Sequence, residues 1–163
     1  MQRLGAAAML NKKKLLYLAG NENIKNVARE PFSKITIDFL DDLSKKIFKN
    51  KNSTQFKDLM TFAFWCRKNN IRNYKNKFKT NKLRFGIGLI FHIPPSNVPI
   101  SFIYSFVFGI LSGNSNIVRL SKPDLEQNKL LIKIINELLR VKKYKELYNC
   151  NIFLSYDKDD FFT

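Results

Sequence analysis

Histidine is almost absent from this 163-residue chain: His92 is the only one, and there are just two cysteines and one tryptophan. Cys66 and Cys150 lie far apart, too few for a disulfide framework, so a reducing, cytoplasmic setting is the default expectation. No pair of His, Cys or carboxylates has metal-ligand spacing, and no metal is expected. Glycine is scarce as well, with six residues. Gly86-Ile87-Gly88 does not grow into GxGxxG, because Phe91 stands at the final position. Residues 109–114 lack the Gly-Lys-Ser/Thr ending of a P-loop. Neither usual nucleotide motif is present.

Long apolar runs are also limited. Residues 98–111 are almost wholly apolar, but a membrane-spanning helix needs about 20 such residues. Extending the run backwards meets Pro94, Pro95, Ser96 and Asn97, whose backbone would not stay helical in lipid. A buried crossover helix is the better account. The apolar patch 5–10 is too short for a signal peptide and runs into Asn11-Lys12-Lys13-Lys14.

Acidic residues are few, 13 Asp and Glu against 29 Lys and Arg, for a net charge of +16. The excess is uneven: residues 1–82 hold 19 Lys and Arg against 6 acids, a net +13, leaving +3 for residues 83–163. Such a balance suits nucleic acid or an anionic membrane. Here, however, the cations are nearly all Lys interleaved with Asn, without the aromatic-plus-Arg pattern of a stacking platform. The abundance of Lys, Asn, Ile and Phe matches an AT-rich coding bias, and nucleic acid is not the favoured partner. A hydrophobic content of 45% and an aromatic content of 13% exclude a disordered polypeptide, and the length suffices for one ordinary core.

The pattern along the chain is α/β. Residues 1–31 read as a loosely held helical lead-in. From Ser33, a plausible N-cap, Ile35, Phe39, Leu40, Leu43 and Ile47 follow at helical spacing, with Asp38, Asp41, Asp42, Lys45 and Lys46 opposite. A second helix, capped by Ser53 or Thr54, carries Phe56, Leu59, Met60, Ala63 and Phe64 and stops near Asn69-Asn70. Residues 71–82 read as a polar surface connection and 83–85 as a short strand. A first long strand (87–93), the turn at 94–97, the apolar helix and a strand at 116–120 then make one βαβ unit. An amphipathic helix from Asp124, a continuation at 142–148 and a third strand at 151–156 complete the pattern. The division expected is a helical segment, 1–82, and a partial nucleotide-binding domain, 83–163. Three parallel strands with no crossover after the last read as a Rossmann-like sheet cut off in mid-fold, with an exposed edge.

In an open parallel sheet, ligands bind beyond the carboxyl ends of the strands. Two polar clusters, Ser96-Asn97 and Arg119-Ser121-Lys122, fall at such ends. The pattern apolar strand, Pro95-Ser96-Asn97-Val98-Pro99, helix, then GNSNIVRLSKP (residues 113–123) resembles the aldehyde dehydrogenase superfamily. It is most similar to the acyl-CoA reductase family of bacterial luminescence and its relatives. Phe62-Ala63-Phe64-Trp65-Cys66-Arg67-Lys68 also resembles the N-terminal helical part of that family, and the resemblance covers roughly residues 32–163.

The resemblance implies an aldehyde-dehydrogenase-like fold and an enzyme that moves an acyl group from a thioester to a cysteine. Hydride from a nicotinamide cofactor, usually NADPH, then releases the aldehyde. Asn97 matches the superfamily asparagine that donates to the oxyanion, a role worth about 2.7–4 kcal/mol; its simpler role is to shape the turn. Ile93, Pro94 and Pro95 are implied along the cofactor path. Arg119 stands where the superfamily has a lysine on the adenosine ribose. Lys122 stands where NAD-preferring relatives have a glutamate, a reversal of charge. Two cations and the Ser121 hydroxyl suit a 2′-phosphate, favouring NADPH; a solvated strand end is the plainer alternative. His92, at the end of the first strand, reads as structural. The family's nucleophile lies downstream, and neither Cys66 nor Cys150 takes that role.

Implied partners are an acyl-CoA or other acyl thioester, with a homo-oligomer or a complex with acyl-transferring enzymes also open. The chain alone is expected to be inactive. Two alternatives stay open: a non-catalytic, truncated basic protein binding nucleotide or nucleic acid, and a fragment of another superfamily reductase, such as one acting on an acyl phosphate.

Overall fold

A computed structural model describes residues 15–156. Four strands form one mixed sheet in the order β1-β4-β3-β2: β1 (Leu16–Gly20), β2 (Leu89–His92), β3 (Ser115–Arg119) and β4 (Asn151–Ser155). β2, β3 and β4 run parallel, joined by α4 (Ser101–Leu111) and α5 (Glu126–Leu139), as the βαβαβ pattern requires. β1 pairs antiparallel with β4.

β1 corrects the expected lead-in. Residues 16–20, LYLAG, are a strand and not a helix, because β4 offers an open edge whose backbone groups need partners. The parallel trio therefore exposes one edge among the described residues, at β2. The part of the lead-in before Leu15 lies outside the described residues.

The run 98–111 folds as α4 and buries Phe102, Ile103, Phe106, Val107 and Ile110. It lies on β2 and β3, whereas α5 lies on β1. Across these helices packs α1 (Lys34–Lys49), whose apolar stripe of Phe39, Leu40, Leu43 and Ile47 is fully buried. Aromatic edges link the layers. Phe106 meets Phe153 of β4 at 4.8 Å and Phe39 of α1 at 6.4 Å, and Phe39 meets Tyr144 at 5.2 Å. One core cluster includes residues from Ala19 to Phe153.

Three further local expectations are corrected. The second helix breaks at Cys66, so that α2 (Lys57–Trp65) is followed by α3 (Lys68–Lys77) where a connection was expected. α3 forms because Asp41, 27 residues earlier, accepts from the Lys68 amide at 3.0 Å and Ile71 is fully buried. Residues 83–85 form no strand; Gly86 instead donates its N–H to the Arg29 carbonyl at 3.0 Å. The predicted solvent face of α1 is partly an interface. Asp38 is buried and takes Lys34 and Lys68, each at 2.8 Å. The stretch 142–148 divides into a 3-10 turn, Lys142–Tyr144, and α6 (Lys145–Asn149).

Phe39 joins three elements at zero exposure. Phe39→Ala should cost about 3–5 kcal/mol. Urea unfolding measures this, and a loss below about 1 kcal/mol would show that the helical layer does not depend on that contact.

Candidate functional site

The parallel register pairs His92 with Val118, so segments 93–97 and 119–122 leave the sheet at the same end. Both predicted polar clusters are therefore beyond carboxyl ends of adjacent strands. Ile93 is 54% exposed, Pro94 is buried and Pro95 is exposed. Asn97 lies in the turn, exposed, and its amide has no hydrogen-bond partner among the described residues. The turn is tied to α4 by Ser101, whose hydroxyl donates to the Pro95 carbonyl at 3.0 Å. No side chain caps the N-terminus of α4, so the turn faces the positive end of that helix.

On β3, the predicted trio separates. Arg119 is 6% exposed; it donates through Nη2 to the Tyr156 carbonyl at 3.1 Å and sits 4.6 Å from the centre of the Tyr156 ring. Its Nε is buried without a hydrogen-bond partner. Arg119 thus ties the end of β3 to Tyr156, just beyond β4. Lys122 is exposed, with no ion-pair partner among the described residues, and Ser121 is half-buried. The Lys122 carbonyl is held by Asn128 Nδ2 at 2.8 Å, which fixes the turn into α5. Asp124, two residues on, is exposed and pairs with Lys129 at 3.4 Å.

The buried polar centre of the sheet was not read from the sequence. Asn116 donates through Nδ2 to Asn151 Oδ1 at 2.7 Å and to the Asn114 carbonyl at 3.0 Å. These donations orient its amide, so Oδ1 accepts from His92 Nε2–H at 2.9 Å. Asn151 in turn donates to the Leu147 carbonyl at 2.6 Å. Arg29 closes the group from the N-terminal side by donating to the Asn114 carbonyl at 2.9 Å. The signal was present in Gly109, inside an otherwise bulky helix. A Cβ there would lie 2.0 Å from Asn116 Oδ1. His92 belongs to this network and holds the strands in register.

Both cysteines are buried, and burial pushes the Cys66 thiol well above its ordinary range. Neither is presented as a nucleophile. No group of three or more His, Cys, Asp or Glu among the described residues could hold a metal ion. Among the same residues, no helix is long and apolar enough to cross a membrane.

Burial holds His92 below its ordinary value of 6.5, against a smaller opposing pull from Asn116. The folded chain therefore binds fewer protons than the unfolded chain just below pH 6.5, and stability should decline as pH falls through that region. His92→Gln should flatten the decline between pH 7 and pH 5 in chemical denaturation. An unchanged slope would remove His92 as its source. Asp38, held far below the usual carboxylate range by Lys34 and Lys68, adds acid sensitivity only below about pH 4.

The model of a family described as acyl-CoA reductase (LuxC) matches residues 23–150, which include both polar strand ends. No solved structure matches the chain.

Proposed function

The chain belongs to the LuxC acyl-CoA reductase family, and on that premise we propose that it supplies two parts of a reductase site. One binds the adenosine phosphate of NADPH; the other holds the carbonyl oxygen of a fatty acyl thioester. Reductases of this family depend on a pyridine nucleotide, and the family description names the acyl thioester. The observation that carries the finer reading is the free cation at the end of β3: Lys122, exposed beside Ser121 with no carboxylate between them.

Lys122 and Ser121 would bind the 2′-phosphate by charge-assisted hydrogen bonds, while Arg119, fastened to Tyr156, keeps the strand end rigid beneath them. Ile93, Pro94 and Pro95 would flank the cofactor, with the N-terminal end of α4 favouring its negative charge. When bound, the reduced nicotinamide supplies the hydride that converts the acyl group to aldehyde. Asn97 acts on the substrate: its free amide N–H donates to the thioester oxygen as negative charge develops there. The proline-flanked turn places the Asn97 backbone, and the amide is free to turn toward the developing charge. Because both thiols of this chain are buried, the acyl-accepting cysteine of the reductase is neither Cys66 nor Cys150.

The 163-residue chain should bind NADPH more tightly than NADH, measured by fluorescence titration. Lys122→Ala should weaken NADPH by about tenfold, the scale of one hydrogen bond to a charged group, and leave NADH nearly unchanged. Equal effects on the two nucleotides would refute the 2′-phosphate assignment. The chain alone should not oxidise NADPH when acyl-CoA is added, and measurable oxidation would overturn the assignment of the nucleophile elsewhere.

A further inference from the structure

Between Asp58 and Asp124 the sequence holds no acidic residue, and residues 72–84 alone carry Arg72, Lys75, Lys77, Lys79, Lys82 and Arg84. The fold brings this stretch to the surface. Residues 72–85, which cover most of α3 and the segment leading to β2, are exposed without interruption, and Ile87 follows at 88%.

Apolar side chains on the same stretch find no cover. Leu83 is 81% exposed, and Phe78 and Phe85 are 57% and 58% exposed. With Ile87, and with Phe108 from the last turns of α4, they border one cleft at the end of the sheet where β2 begins. The segment is held to the body of the protein. Phe78 stacks on Phe32 at 6.0 Å and on Tyr74 at 6.5 Å, and the Gly86 amide donates to the Arg29 carbonyl at 3.0 Å. A contiguous exposed apolar patch with a polar border marks an interaction surface.

Cations supply that border. Lys79, Lys82 and Arg84 line the same cleft, where Glu30 is the one acid, and Arg72 and Lys77 add charge along α3. None of these five cations has an ion-pair partner among the described residues. The chemistry of the patch separates the partners such a surface could meet. Nucleic acid would neutralise the cations but leave Leu83 and Ile87 in water. The core of a protein interface is poor in Lys, and four of the six cations here are Lys. A bilayer with anionic head groups accommodates both parts. Ammonium and guanidinium groups stay at the level of the phosphates, while their stems and the neighbouring Leu, Ile and Phe side chains reach the hydrocarbon boundary.

We infer that residues 72–87 form a peripheral membrane contact, seating Leu83, Phe85 and Ile87 in the interface of an anionic phospholipid bilayer while Lys79, Lys82 and Arg84 pair with lipid phosphates. Such a contact lies on the bilayer surface and requires no spanning helix. It does not depend on the cofactor reading. Asn97 and Lys122 lie at the other end of the parallel strands, so docking leaves them open to water.

The test is co-sedimentation of the 163-residue chain with vesicles of phosphatidylcholine alone and of phosphatidylcholine mixed with phosphatidylglycerol. Binding should be confined to the mixed vesicles and should weaken as salt rises. The triple variant Lys79→Ala, Lys82→Ala, Arg84→Ala should weaken it about hundredfold, and the double variant Leu83→Ser, Ile87→Ser about tenfold. All five side chains are exposed, so both variants should keep the urea midpoint of the parent. Emission from Leu83→Trp should shift to the blue on the mixed vesicles, because the ring leaves water. Binding to neither vesicle, or equally to both, would overturn the assignment. Full binding by the double variant would do the same. So would equal weakening by Lys133→Ala, Lys142→Ala, Lys145→Ala, which removes the same charge elsewhere and would reduce the effect to net charge. A single-stranded oligonucleotide bound through Lys79, Lys82 and Arg84 more tightly than the vesicles would assign the surface to nucleic acid instead.

Discussion

The ring of Phe106 touches Phe153 in the central strand on one side and Phe39 of α1 on the other, at 4.8 and 6.4 Å. Sheet, crossover helix and outer helix meet at this contact. Without it α4 would lose its link to the outer helix, although α1 also packs its buried stripe against α2 and α5. From Phe39 the packing continues to Tyr144, whose hydroxyl donates to Asp42. The polar shell of α1 is thus connected to the sheet through three aromatic rings. Dispersion and area burial set the distance between layers, and the ion pairs of α1 form on a surface already positioned.

The two ends of the parallel strands are treated in opposite ways. Polar groups at the amino ends of β3 and β4 are consumed internally: Asn114, Asn116 and Asn151 bond to one another and to His92 and backbone carbonyls. A buried network whose members are mutually satisfied fixes register, because a slip by one residue would orphan several groups at once. At the carboxyl ends, Asn97 and Lys122 lack internal partners. Rigidity at one end and unspent hydrogen-bonding capacity at the other is what a ligand site on a sheet needs, since a rigid frame leaves only the side chains to be ordered on binding.

The crossover helix and both flanking strands were legible because a continuous apolar run bounded by turns leaves few alternatives. The strand 16–20 was not: five residues are too few for a period, and its state is set by the free edge of β4. Helix α3 was missed for a similar reason. Ile71 is its one buried residue, and part of its N-terminal capping comes from Asp41 on another helix. The site divides along the same line. Asn97 and Lys122 were readable from position in the βαβ unit and remain open in the folded chain. Arg119 has the same position, but its environment depends on Tyr156, 37 residues away. The sequence shows which residue types reach a strand end, whereas tertiary contact decides which of them remain free.

The basic excess of the N-terminal half takes on a different meaning once the ion pairs are located. Asp38, Asp41 and Asp42 gather Lys34, Lys45, Lys68 and Lys143 on one side of α1. Acids are scarce, and concentrating three of them there leaves few for the segment that follows α3. Lys79, Lys82 and Arg84 accordingly stand without partners among the described residues. The basic excess therefore folds into a neutralised structural face and a separate group of unpaired cations after α3. Charge in that group is not diluted by neighbouring carboxylates, and it borders exposed aromatic rings. A nucleic-acid surface would need cations spaced along a backbone track.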